Sequence, residues 1–258
     1  MSGLILIAFS LLNSGVLSYP PALATNSNLQ DRAIIQRRRT VLVRRGEVAR
    51  LFPKRRTAII TYPVITGLKP NVLRKVRAHL SFKNIFDYSL AEYRNDAWLS
   101  EFSYVVNHNA DSLLDITFTQ SGVAAYPDEQ SRHFLIDLRS GKLLAAADAF
   151  QPEKLTLLTA QVDAELQREI AKLRKENAAS TDRDQDEKTS VNDAYEILKI
   201  ELKDLDNFSV SRRGITFLYD AGFPHVIKAL EPHGHYFFSY DRLKPYIKSD
   251  GPLGQFVR

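Results

Sequence analysis

The stretch Trp98-Leu99-Ser100-Glu101-Phe102-Ser103-Tyr104-Val105-Val106 alternates in polarity. Trp98, Phe102, Tyr104 and Val106 share one face, while Glu101, Ser103 and Asn107 share the other. This is the two-residue period of a half-buried strand. Asn107-His108-Asn109-Ala110 reads as a turn, and Leu114, Ile116 and Phe118 supply the apolar face of a return strand. Strands that return after so short a connection pair antiparallel and need no crossover helix. The hairpin therefore points to an α+β fold rather than an alternating parallel one.

Downstream, Ser121–Asp128 reads as a loop and His133–Leu138 as a third strand, with Phe134, Ile136 and Leu138 on one face. Arg139-Ser140-Gly141-Lys142 turns the chain. Upstream, Thr57–Ile65 is rich in β-branched residues and apolar on both faces, so a buried strand is expected there. A helix follows from Lys69 to Phe82, with Pro70 in its first turn and Val72, Val76 and Leu80 in one stripe. The clearest helix runs from Pro152 to Asn177 on Leu155, Leu158, Val162, Leu166, Ile170 and Leu173. Glu176–Ser190 has little apolar content and reads as a loop. A second helix is expected over Val191–Leu205, packing on the first as an αα-hairpin. Short strands at Phe208–Val210, Ile215–Tyr219 and Tyr236–Ser239 precede a helical turn near Asp241–Ile247. The expected architecture is an antiparallel sheet packed on one face by a helix pair plus an N-terminal helix.

The 258 residues carry 35 Lys and Arg against 30 Asp and Glu, for a net charge of +5. The charge is uneven. Asp31–Arg77 holds 14 basic residues and two acids, whereas the rest of the chain is net acidic. Arg37, Arg38 and Arg39, then Arg44 and Arg45, then Lys54, Arg55 and Arg56 form three clusters. They suit an anionic membrane or polymer surface. The plainer reading is an edge hairpin, Thr40–Val43 and Glu47–Leu51 about Arg45-Gly46, whose charges discourage strand-to-strand aggregation. Only Phe52 interrupts this arm as an aromatic, so nucleic acid is not an expected partner. Zero cysteines exclude disulfides, Cys-ligated zinc and a thiol nucleophile.

Residues 1–30 carry no charged side chain. The apolar run Leu4–Leu12 followed by Ala22-Leu23-Ala24 reads as an export signal cut after Ala24. The alternative is an uncleaved N-terminal membrane anchor, since the basic residues lie after the run rather than before it. The chain thus divides into a signal peptide (1–24), a basic arm or edge hairpin (25–56), an α+β domain (57–248) and a C-terminal tail (249–258).

Several stretches together resemble the RsiV-like extracytoplasmic domain family, found in a lysozyme-sensing anti-sigma factor and beside peptidoglycan deacetylase domains. The matching pieces are Tyr62-Pro63-Val64-Ile65-Thr66-Gly67-Leu68, Leu113-Leu114-Asp115-Ile116 and Phe134-Leu135-Ile136-Asp137-Leu138-Arg139-Ser140-Gly141-Lys142. Asp148-Ala149-Phe150, Phe208-Ser209-Val210, Gly214-Ile215-Thr216-Phe217 and Phe238-Ser239-Tyr240-Asp241-Arg242-Leu243 follow in order. Gly122–Asp128 stands where many members carry a Gly-Ala-His-Pro-like loop. The resemblance implies an exported, non-catalytic domain that binds a protein such as a lysozyme, or a cell-wall polymer.

Loops carry recognition, so Gly122, Tyr126, Pro127 and Asp128 are candidate ligand contacts, as are His225, His233 and His235 in the late irregular stretch. His-x-His suits a metal on a strand, but Pro232 and Gly234 argue for a turn, so neither metal nor cofactor is expected. Phosphate-loop, dinucleotide, His-Glu-x-x-His and nucleophile-elbow motifs are absent. Asp111 and Asp115, or Glu92 and Asp96, are carboxylate pairs of the kind a hydrolase could use, although no motif singles out either as catalytic. A cell-wall hydrolase remains the alternative to a binding domain, and a structural protein held to an anionic surface by the basic arm is a third reading.

Overall fold

The structure, a computed structural model, describes residues 31–124 and 126–258. The expected signal peptide and its cut after Ala24 lie outside the described residues. From the N-terminal side come strand β1 (Ile34–Val43), helix α1 (Gly46–Leu51), β2 (Thr57–Thr66), and helices α2 (Pro70–His79), α3 (Phe82–Phe86) and α4 (Leu90–Asn95). Strands β3 (Leu99–Ala110), β4 (Leu113–Val123), β5 (Pro127–Asp137) and β6 (Lys142–Leu143) follow. The chain then forms α5 (Ala146–Ala149), the long α6 (Leu155–Ala179) and α7 (Gln185–Glu196). It closes with β7 (Phe208–Val210), β8 (Gly214–Leu218), β9 (His235–Ser239) and α8 (Tyr240–Leu243).

The α+β class holds. A six-stranded sheet runs β1-β2-β3-β4-β5-β6, and a separate three-stranded sheet runs β7-β8-β9. Among the described residues every strand pairing is antiparallel except β2–β3. That one parallel pair follows from the helices α2–α4, which carry the chain back across the sheet as a crossover must.

Period-two patterning sorts the two cores. On β4, Leu114, Ile116 and Phe118 face α2 and α3, where Val72, Val76, Ile85 and Phe86 complete one cluster. Leu113 on the opposite face joins the second cluster. That cluster is built on α6, whose Leu158, Val162 and Leu166 are fully buried at four-residue spacing. The inner face of the small sheet, with Phe208, Val210, Ile215 and Phe217, packs on it, and Val191 and Tyr195 of α7 close it.

Several local expectations change; the second helix of the pair, for one, spans Gln185–Glu196 rather than Val191–Leu205. The β3–β4 turn is Asp111-Ser112, both at positive φ (55° and 59°), as a two-residue hairpin demands. The strands therefore extend through Asn107–Ala110. Glu47–Leu51 is helix rather than strand; Glu47 sits in its first turn and Arg50 in its last, 3.6 Å apart. Much of Glu176–Ser190 is also helical. Asp184 caps α7 by accepting from the Glu187 amide at 2.9 Å, and buried Asn177 donates to the Lys188 carbonyl at 3.0 Å. Most of Ser121–Asp128 is strand: Ser121 to Val123 end β4, and Pro127 and Asp128 open β5. Among the described residues no helix is long and apolar enough to cross a membrane.

Candidate functional site

The two sheets meet at Asp115. It is fully buried on β4, on the side turned toward the small sheet. Its Oδ1 accepts from Asn107 Nδ2 at 2.7 Å and from His133 Nε2 at 2.8 Å. Its Oδ2 accepts from Ser209 Oγ at 2.8 Å and from the Val210 amide at 2.7 Å. Each oxygen therefore takes two donors, which fills the acceptor capacity of a carboxylate. A buried charge is tolerated when so paired, and here it draws partners from two neighbouring strands of its own sheet and one strand of the other. The carboxylate also selects the His133 tautomer that carries hydrogen on Nε2.

Asn107, His133 and Ser209 form part of the wall of a cavity of about 450 Å³ between the sheets. Thr117 and Ser131 extend it on β4 and β5, and Thr216, Leu218 and Tyr219 face them from the small sheet's side. His233, Gly234 and His235 close one end. Two further cavities of about 430 and 440 Å³ adjoin, and Ser131 and Asp220 line all three. Their shared walls set the three side by side as a groove along β5. One end is bounded by Asp128, Gly222 and Lys228, the other by Lys203, Asp204 and Asp206. Its walls are dominated by hydroxyl, amide, imidazole and carboxylate groups, with Tyr219 as a half-buried aromatic.

The late histidines divide by role. His233 Nδ1 accepts from the His235 amide at 2.9 Å, and its Nε2 lies 3.5 Å from Glu169 of α6. Glu169 also accepts from the His233 amide at 2.7 Å and the Tyr236 hydroxyl at 2.9 Å, so it anchors this loop to the helix. Desolvation lowers the pKa of His235 from its ordinary value, and His233 adds to the effect. Burial likewise raises the Tyr219 hydroxyl. Gly234 is needed where it stands: φ is +68°, and a Cβ would lie 2.0 Å from the Tyr219 carbonyl oxygen. His225 opens a short 3-10 turn, His225–Leu230.

The other loop is split as well. Asp128 lines the groove, Tyr126 is exposed, and Pro127 opens β5 opposite Val123. Gly122 is buried in β4, where a Cβ would fall 2.2 Å from the Trp98 carbonyl oxygen. Glycine is required there by the close backbone approach. Asp111 stands in the hairpin turn, 3.2 Å from His108, while Asp115 is sealed beneath the groove.

The basic clusters also separate. Arg37, Arg38 and Arg39 are exposed on the edge strand β1, and Arg45, Lys54 and Arg56 are exposed around α1. Arg44 leaves that surface: it is 2% exposed and donates to four backbone carbonyls. These are Asp96 at 2.5 Å, Arg55 at 2.7 Å, Thr57 at 3.2 Å and Leu99 at 2.5 Å. Arg55 donates to the Val123 carbonyl at 2.5 Å. Among the described residues no group of three or more His, Asp or Glu side chains could hold a metal ion.

Sequence reasoning did not find the Asp115 hub. Asn107, Asp115, His133 and Ser209 are dispersed along the chain, and no spacing rule joins them. The only legible signal was a charged residue inside an otherwise apolar strand run.

No protein-family model matches the sequence, and no curated protein matches it. The structure is similar to that of a DUF3298 family protein from Pseudomonas aeruginosa PAO1. The TM-score is 0.52 at 15% identity over 85% of this chain and 96% of that one. A DUF3298 family member from Bacteroides fragilis NCTC 9343 gives a TM-score of 0.46 at 14% identity, over 88% and 97% of the two chains. At this identity the Pseudomonas likeness is one of fold.

Proposed function

We propose that this protein is an exported, non-catalytic binding domain of the bacterial cell envelope, and that its groove holds a cell-wall polymer. The observation that carries the reading is the buried Asp115 beneath Asn107, His133 and Ser209. One fixed carboxylate orients three groove-lining polar groups before any ligand arrives, and such preorganisation lowers the cost of binding. A carboxylate already accepting four hydrogen bonds suits positioning better than proton transfer. The wall chemistry suits the hydroxyls and amides of an extended glycan, and Tyr219 offers a ring for a sugar face. An open row of adjoining cavities fits a chain better than a compact metabolite. The resemblance of its sequence motifs to those of the RsiV-like domains supports the envelope setting.

The test is a pull-down of the full chain with purified peptidoglycan sacculi and, separately, with lysozyme. Ser131 is exposed and borders all three cavities. Ser131→Trp should therefore abolish saturable binding to sacculi without unfolding the protein. Binding to lysozyme alone would favour a protein ligand. Release of soluble wall fragments, lost in His233→Ala, would favour the hydrolase. Sacculus binding untouched by Ser131→Trp would remove the groove from the reading.

A further inference from the structure

A second surface lies at the β1–β2 end of the large sheet. Val43 pairs with Thr57, and the Arg44 amide donates to the Arg56 carbonyl at 2.9 Å, so residues 45–55 form a closed excursion between two hydrogen-bonded strand ends. Only Ala49 of this excursion enters the core. Leu51 and Phe52 stand outward, 60% and 43% exposed. Arg45, Arg50, Lys54 and Arg56 around them are exposed too, against the single acid Glu47, itself exposed.

The tip is held in shape rather than loose. Arg44 is spent on four carbonyls at its root. Arg55 donates to the Val123 carbonyl, with its guanidinium 5.9 Å from the Phe52 ring centroid. A rigid loop that presents two large apolar side chains inside a ring of cations has a known physical preference. Its apolar side chains gain by leaving water, and its cations gain at an anionic headgroup layer. A soluble acidic partner would use the charges and leave Leu51 and Phe52 without a role. Val41 and Val43, 54% and 49% exposed at the end of β1, extend the same apolar–basic surface.

We propose that this β1–β2 tip is a membrane-surface contact: Leu51 and Phe52 enter the interfacial layer of an anionic bilayer while Arg45, Arg50, Lys54 and Arg56 neutralise its headgroups. The inference is independent of the groove. It orients the chain with this end of the large sheet against lipid, whether or not residues 1–30 remain attached.

The experiment uses the full chain, so the N-terminal apolar segment is common to every variant. Phe52→Trp is read by fluorescence with vesicles of brominated phosphatidylglycerol and brominated phosphatidylcholine, the parent chain supplying the Trp98 background. Quenching of the added tryptophan by the anionic vesicles, reversed by high salt, is the expected result. Vesicle co-sedimentation of Arg45→Gln, Arg50→Gln and Lys54→Gln should weaken by about fivefold per charge removed at low salt. Leu51→Ser with Phe52→Ser should weaken binding at every salt concentration. An added tryptophan quenched equally by both lipids, or by neither, overturns the proposal. So does co-sedimentation that all these substitutions leave unchanged.

Discussion

The Asp115 carboxylate on β4 accepts the main-chain amide of Val210 on β7 at 2.7 Å, although the two residues lie 95 positions apart. Through this bond one buried charge registers the small sheet against the large one. The same carboxylate fixes three side chains of the groove wall, so the joint between sheets and the candidate site share a single support.

Replacing that support should cost stability as well as binding. Asp115→Ala leaves four donors without their acceptor, and each buried group left unsatisfied costs about 1–3 kcal/mol. Asp115→Asn keeps the shape but turns an NH2 toward two donors, so it should fall between the parent and the alanine variant. Chemical denaturation followed by circular dichroism measures both, and an unchanged midpoint for Asp115→Ala would contradict the described network.

Arg44 and Arg38 offer a contrast within one basic segment. Lys in place of Arg44 cannot reproduce a fork that reaches four carbonyls. Arg44→Lys should destabilise by about 1–3 kcal/mol. Arg38→Gln, on the exposed edge strand, should stay within about 0.5 kcal/mol of the parent. Urea unfolding of the two variants in parallel checks the difference.

Gly122→Ala should disturb the end of the β3–β4 hairpin. A methyl group there meets the Trp98 carbonyl oxygen at 2.2 Å, in backbone rather than in a flexible side chain. Overpacking of this kind costs about 1–3 kcal/mol. Faster hydrogen exchange of the Val123 amide, which donates to that carbonyl at 3.0 Å, is the local readout.

His235 should titrate below its ordinary value of 6.5 because desolvation disfavours the imidazolium, with His233 adding to the effect. A group depressed in the folded state contributes stability that is complete above its unfolded pKa. That contribution is lost as pH falls through the folded pKa. Imidazole NMR should show a midpoint below 6.5, and His233→Ala should raise it while leaving it depressed, since burial is the larger cause.

The sequence by itself determined the elements whose patterning is local. Alternation from Trp98 to Phe118 specified the central hairpin, and Leu158, Val162 and Leu166 at four-residue spacing specified α6. The α+β class followed from the order of these elements. Composition alone misread Glu176–Ser190, because the Asp184 cap and the bond from Asn177 to the Lys188 carbonyl act through geometry that a count of polar residues does not contain. It also treated Arg44 as one more surface cation, although its charge is turned inward onto carbonyls of residues 55–57 and 96–99. Only the tertiary structure decided that Asp115, His133, Asn107 and Ser209 converge, that three cavities join along β5, and that Leu51 and Phe52 stand exposed among cations. The physical reason is the same in each case. Periodicity reports which face of an element is buried, whereas a site depends on which faces of distant elements are brought to within hydrogen-bonding distance.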